Sequence, residues 1–99
     1  MDTWNDIATK LIDDADDSEI TPDYRAAKAL RTIYPAYGNS DLHTGLIDAL
    51  SDVLHLCDLA GLDFTQVLTK ARGHYRQELH AYGVASHPQL AEAIKRDLT

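Results

Sequence analysis

The stretch Leu46–Leu79, "LIDALSDVLHLCDLAGLDFTQVLTKARGHYRQEL", carries two apolar rhythms separated by Gly61-Leu62-Asp63. Before the break, Leu46, Leu50, Val53, Leu54 and Cys57 recur at three- and four-residue spacing, with Ile47, Ala49, Leu56 and Ala60 at their flanks. After it, Phe64, Val67, Leu68, Ala71, Tyr75, Leu79 and Tyr82 repeat the same period. That period belongs to one face of an α-helix and not to a strand. Gly61 fits the left-handed position that ends a helix. Asp63 with Gln66 reads as a capping box, and Leu62 with Val67 as a hydrophobic staple. The stretch therefore predicts a helical hairpin, with Leu50, Val53, Cys57, Leu68, Ala71 and Tyr75 as its core.

Working outward, three shorter helices complete the chain. The first is expected over about 2–14, with Trp4, Ile7, Leu11 and Ile12 on one side, ending in the acidic run "DDADDSE". Those acids oppose the negative end of the helix dipole. Thr21-Pro22 opens a second helix, with a hydroxyl cap and a proline in the first turn. Ala26, Ala27, Leu30, Ile33 and Tyr34 pack it, and Pro35 is expected to stop it. "PAYGNS" is a turn that places Ser40 or Asp41 as the next cap. Ser86 to Gln89 reads as the capping box of a last helix, packed by Leu90, Ile94 and Leu98. No segment alternates with period two. The expectation is an all-α, compact five-helix domain over residues 1–99, built on a central antiparallel helical hairpin.

Composition narrows the function. The chain has 99 residues, 44% of them hydrophobic and 25% charged, which suits one folded domain. A domain of this size often gains stability by dimerising, so a homodimer is expected. Net charge is −7, from 16 acidic against 9 basic residues. Residues 41–63 hold five Asp and no Lys or Arg. Such a balance does not seek nucleic-acid phosphates through bulk charge. It suits a protein partner with a basic surface, or pairing among the chain's own helices. The single cysteine, Cys57, makes neither an intrachain disulfide nor a cysteine-based zinc site, and it suits a reducing compartment. With no bilayer-length apolar run and no signal-like start, a cytoplasmic protein without a membrane association is expected.

Candidate chemistry is sparse. Asp48, Asp52 and His55 share the side of their helix opposite the apolar stripe, and Asp58 adds to the same acidic surface. Asp52-x-x-His55 has the spacing of the acid–histidine pair that helical bundles use for metals. A metal site would need a second such pair facing the core, and the chain has none. His74 and Glu78 stand one turn apart, as a base and its orienting carboxylate would, but no nucleophile accompanies them. Cys57 lacks a neighbouring cation and reads as a buried thiol. The acidic run from Asp13 to Asp17 lacks the alternation and the glycine of a calcium loop. No catalytic residue, cofactor or metal is assigned. The candidate site is a partner-binding one made of Asp48, Asp52, His55 and Asp58.

One rival uses the same turn. Cys57, Gly61 and Val67 have the spacing of a helix-turn-helix, which would make the chain a small DNA-binding regulator. Its second helix opens with "DFTQVLTK", presenting Asp63 and no arginine where phosphates would lie. A metal-dependent helical enzyme stands third.

The central pattern resembles small α-helical accessory proteins of phages and other bacterial mobile elements. The likeness rests on Leu46-Ile47-Asp48, Asp52, His55, Cys57-Asp58, Gly61-Leu62-Asp63-Phe64, Ala71 and His74-Tyr75, about a third of the chain. It implies a non-enzymatic protein acting in a bacterial host cell by occupying a host protein, including proteins of bacterial defence. It brings no catalytic residue and no substrate.

Overall fold

Each helix of the chain begins at a residue able to accept a hydrogen bond from its own first turn. The computed structural model describes residues 2–16, 20–38 and 41–99. In it, α1 spans Trp4–Asp13, α2 Pro22–Tyr37, α3 Leu42–Ala60, α4 Phe64–Tyr82 and α5 Pro88–Asp97. The fold is all-α. Thr3 caps α1 and forms a reciprocal capping box with Asp6. Thr21 caps α2, Asp41 caps α3 and Asp63 caps α4. Gly61 ends α3 at φ 70°, a left-handed conformation that a Cβ would strain. The expected cap at Ser40 and the distal part of the acidic run lie outside the described residues.

Three local expectations are corrected. Pro35 does not stop α2, which continues to Tyr37. In the last turn a missing N–H removes only one helical hydrogen bond, and the extension carries Tyr37 up to α3. The cap of α5 is His87, whose Nδ1 accepts from the Leu90 N–H at 3.1 Å. Ser86 is displaced from that role because its own N–H, like that of His87, donates to Oδ1 of Asp23, at 2.7 and 3.2 Å. Asp63 accepts from the N–H of Thr65 at 2.9 Å, so its carboxylate serves the second residue of α4 and not Gln66.

The core lies among α1, α2 and α5. Ala8, Ala27, Leu30, Leu90 and Leu98 are buried together, with Trp4, Ile7, Leu11, Ile12, Tyr34, Leu42 and Ile94 packed around them. Ala8 and Ala27 are fully covered, and their small side chains let α1 and α2 approach closely. Trp4 meets Tyr34 edge to face at 5.2 Å. The two ends of the chain are clasped beside them. Asp97 Oδ2 accepts from the Trp4 N–H at 3.1 Å, and Arg96 donates to the Asp2 carbonyl at 2.8 Å. These contacts hold the Asp97 carboxyl below the usual carboxylate range, the Arg96 guanidinium first and the Trp4 N–H second.

The hairpin stands apart from this core. Helix α2, not α3, is central, because α1, α3 and α4 all pack on it. Of the six residues expected as hairpin core, only Cys57 is buried. Leu50 is 55% and Tyr75 57% exposed, and Val53, Leu68 and Ala71 are also exposed. The reason is how α3 sits on α2. Two of its three covered positions, Gly45 and Ala49, lie about a third of a turn round the helix from the leucine stripe, and the third, Cys57, lies on the stripe close to the Gly61 turn. A Cβ on Gly45 would come within 3.0 Å of the Tyr37 carbonyl oxygen. Helix α4 has no buried residue at all. It reaches α2 only near its C-terminal end, where Arg25 pairs with Glu78 at 3.3 Å.

Three outcomes follow from this packing. Leu90→Ala should destabilise the fold by about 2–5 kcal/mol, the usual cost of emptying a packed leucine site, measured by urea unfolding. Gly73→Ala, in α4, meets nothing within 4 Å, so it should stabilise by about 0.5–1 kcal/mol. Gly45→Ala should lower the melting midpoint instead, since the added methyl group pushes α3 off the Tyr37 carbonyl.

Candidate functional site

Asp48, Asp52, His55 and Asp58 are all exposed and all on α3. Asp41 sets that helix in place by accepting from the Thr44 N–H at 2.7 Å, which also lowers the pKa of its carboxyl. Helical periodicity puts Asp48, Asp52 and His55 on one side, next to the C-terminal end of α2. Asp58 lies farther round the helix, near the turn, on the edge of the apolar stripe. The four residues therefore form a cluster of three and a separate fourth member. Neither Asp48, Asp52 nor Asp58 has an ion pair among the described residues.

The cluster has one polar neighbour that the sequence did not reveal. Tyr37 lies near Asp52, whose carboxylate, as an acceptor for the hydroxyl, raises the tyrosine pKa, with smaller contributions from burial and from the charges of Asp52 and Asp48. The hydroxyl can reach α3 only because α2 runs past Pro35. Reading "PAYG" as a loop hid that contact.

The other candidate groups stay separate. Glu78 pairs with Arg25 of α2, so the expected carboxylate for His74 is engaged elsewhere. Cys57 is buried, in keeping with a structural thiol. Among the described residues no three His, Cys, Asp or Glu side chains gather as a metal site would require. No described helix is long and apolar enough to cross a membrane.

The larger feature is apolar. Fourteen large hydrophobic residues are exposed among the described residues, and twelve of them lie on α3, the turn and α4. On α3 these are Leu46, Ile47, Leu50, Val53, Leu54, Leu56 and Leu59, the last 86% exposed. Leu62 in the turn and Val67, Leu68, Tyr75 and Tyr82 on α4 continue the surface. The signal was present in the sequence as the hairpin's two stripes, but their period is the same whether a stripe is covered or open.

Geometry explains the opening between the arms. Each arm has 19 residues, about 28 Å of helix at 1.5 Å per residue. Helix α3 rests on the Tyr37 end of α2, whereas α4 returns to the end carrying Pro22, Arg25 and Ala26. Those footholds are about 20 Å apart along α2. Packed helices stand about 8–10 Å apart, so the arms meet only near Gly61 and diverge below it. The molecule measures 44 × 34 × 19 Å as a result.

Compared with protein-family models, curated proteins and solved structures, the chain finds no match.

The Tyr37–Asp52 contact gives this surface a measurable signature. A tyrosine whose folded-state pKa is raised adds stability below its ordinary pKa and loses that contribution as pH rises through the raised value. Asp52→Asn should therefore bring the Tyr37 ionisation back down, visible in an alkaline titration followed by the tyrosinate absorbance or by NMR. An unshifted Tyr37 titration in the variant would separate the two side chains.

Proposed function

We propose that this chain is a non-enzymatic binding protein that acts by occupying the surface of another protein. The reading rests on one observation: among the described residues, α3, the turn and α4 present most of the exposed large hydrophobic side chains, beside carboxylates without ion pairs. Isolated apolar surface residues are common, but a contiguous patch beyond about 300–600 Å² marks an interaction surface. The cluster of Asp48, Asp52 and His55, with Asp58 nearby, suits a partner bearing a basic surface. Charge of this kind steers encounter and selects partners more than it adds affinity. The chain works as a homodimer in the cytoplasm of a bacterial cell, as a phage or mobile-element factor that blocks a host protein, a defence protein among the candidates.

The alternative, a helix-turn-helix regulator, draws on the exposed cations Lys70, Arg72 and Arg76 of α4. Against it stand the acids of α3 immediately before the turn and the capping Asp63 at the start of α4.

A photoreactive residue at Ser51 should cross-link a discrete protein from bacterial lysate. Asp48→Lys with Asp52→Lys should leave the fold intact, since like charges one helical turn apart oppose α3 by about 0.2–0.5 kcal/mol. The cross-linked yield should fall by about threefold to tenfold at low salt and by less at high salt. An unchanged yield would reduce the cluster to a solvated helix face. Tighter DNA binding by the double variant would favour the regulator.

A further inference from the structure

The space between α3 and α4 cannot be closed by the chain itself. Helix α2 holds the two feet about 20 Å apart, roughly twice the spacing of a packed helix pair. Leu46, Leu50, Val53 and Leu54 on the α3 stripe, and Leu68 and Tyr75 on the α4 stripe, are 37–57% exposed. Helix α4 has no fully buried residue, Phe64 and Leu79 being half-buried. Helices draw most of their stability from packing an apolar face, so a helix of this length without a packed face is marginal in water. Something of matching shape and length belongs against these arms.

Charge indicates what that is. Helix α3 carries Asp48, Asp52 and Asp58 and no Lys or Arg. Helix α4 carries Lys70, Arg72 and Arg76, and its one acid, Glu78, is engaged by Arg25. The three cations have no ion pair among the described residues. Helical periodicity sets Asp58 at the rim of the α3 stripe and Arg72 at the rim of the α4 stripe, with Arg76 beside it. The α3 stripe is thus edged by Asp58, and the α4 rim away from the Arg25–Glu78 pair by Arg72 and Arg76, so the two rims carry opposite signs. A surface made of two such arms is complementary to itself once turned about a two-fold axis, which is what a symmetric dimer requires.

We propose that the α3–α4 surface is covered by the same surface of a second copy, α3 of each copy lying against α4 of the other. This deepens the self-association proposed above by naming the faces that meet. Pairing α3 with its own counterpart would set Asp58 near its own copy, and pairing α4 with its counterpart would set Arg72 and Arg76 near theirs. Crossed pairing opposes unlike charges at both contacts. An ordinary dimer buries about 800 Å² from each partner, and two 19-residue helices are long enough to supply a surface of that order. Asp48, Asp52 and His55 lie on the other side of α3 and remain free for a foreign protein.

The test uses the whole chain. Light scattering after gel filtration should give a dimer, and the melting midpoint should rise with concentration. Leu50→Glu and Leu68→Glu should each yield a monomer whose α4 amides exchange at least about tenfold faster, since local opening sets their protection. Both positions lie outside the α1–α2–α5 core, so Trp4 fluorescence should report that core intact. Asp58→Arg and Arg72→Asp should each weaken the dimer, and mixing the two variants should restore it as a heterodimer. That exchange follows only if α3 faces α4 across copies. A wild-type chain that stays monomeric through a dilution series down from high concentration would overturn the proposal. So would a dimer indifferent to both glutamate variants, or a monomer that captures a foreign helix on these residues. A sound dimer whose Asp48 and Asp52 reversal leaves foreign binding unchanged would count against the acidic cluster alone.

Discussion

The seat of α3 on α2 governs the rest of the molecule. Gly45 and Ala49, one turn apart, bring the α3 backbone against the last turn of α2, close to the Tyr37 carbonyl. A helix presents only one side to a close neighbour. Once the small-residue side is chosen, the leucine stripe must turn away from the core. The same contact places Asp52 beside the Tyr37 hydroxyl and directs α3 outward from the C-terminal end of α2. Helix α4 then returns to the other end of α2, and the hairpin opens as a consequence.

The protein thus divides its apolar residues between two purposes. Trp4, Ala8, Ala27, Leu30, Leu90 and Leu98 hold α1, α2 and α5 together, with Asp23 and Asp97 pinning the chain at both ends of α5. That part is a small, closed assembly. The hairpin residues contribute little to it, although they form the most hydrophobic segment of the chain. In a structure of this size such a distribution sets aside surface that folding could otherwise use. The charges follow the same division, with carboxylates on α3 and cations on α4. An isolated hairpin would bring those opposite charges together internally. Here the splay of the arms keeps them apart and exposed.

Much of the local structure was legible. Thr21, Asp41, Gly61 and Asp63 punctuate the helices as their side chains and backbone freedom require. The stripes of α1 and α5 pack as their spacing suggests. Where the reading failed, a distant group had intervened. Asp23, more than sixty residues away, takes the N–H groups of Ser86 and His87, so the cap moves to His87. Pro35 is tolerated in the last turn of α2 while its neighbour Tyr34 meets Trp4 edge to face. The acids of the candidate site were legible as residues and as a helix face. Their tyrosine neighbour was not, because Tyr37 was assigned to a loop.

By itself the sequence determined five helices, most of their ends, the acidic character of α3 and the presence of two apolar stripes around Gly61. These depend on periodicity, on capping groups within a few residues and on charge, all of them local properties. Only the tertiary structure decided which apolar face became core. Spacing measures how a stripe is arranged along a helix, and it carries no information about what lies opposite. Gly45 and Ala49 offer closer approach to α2 than Leu46, Leu50 and Val53 do, and that choice left the more hydrophobic face of α3 open.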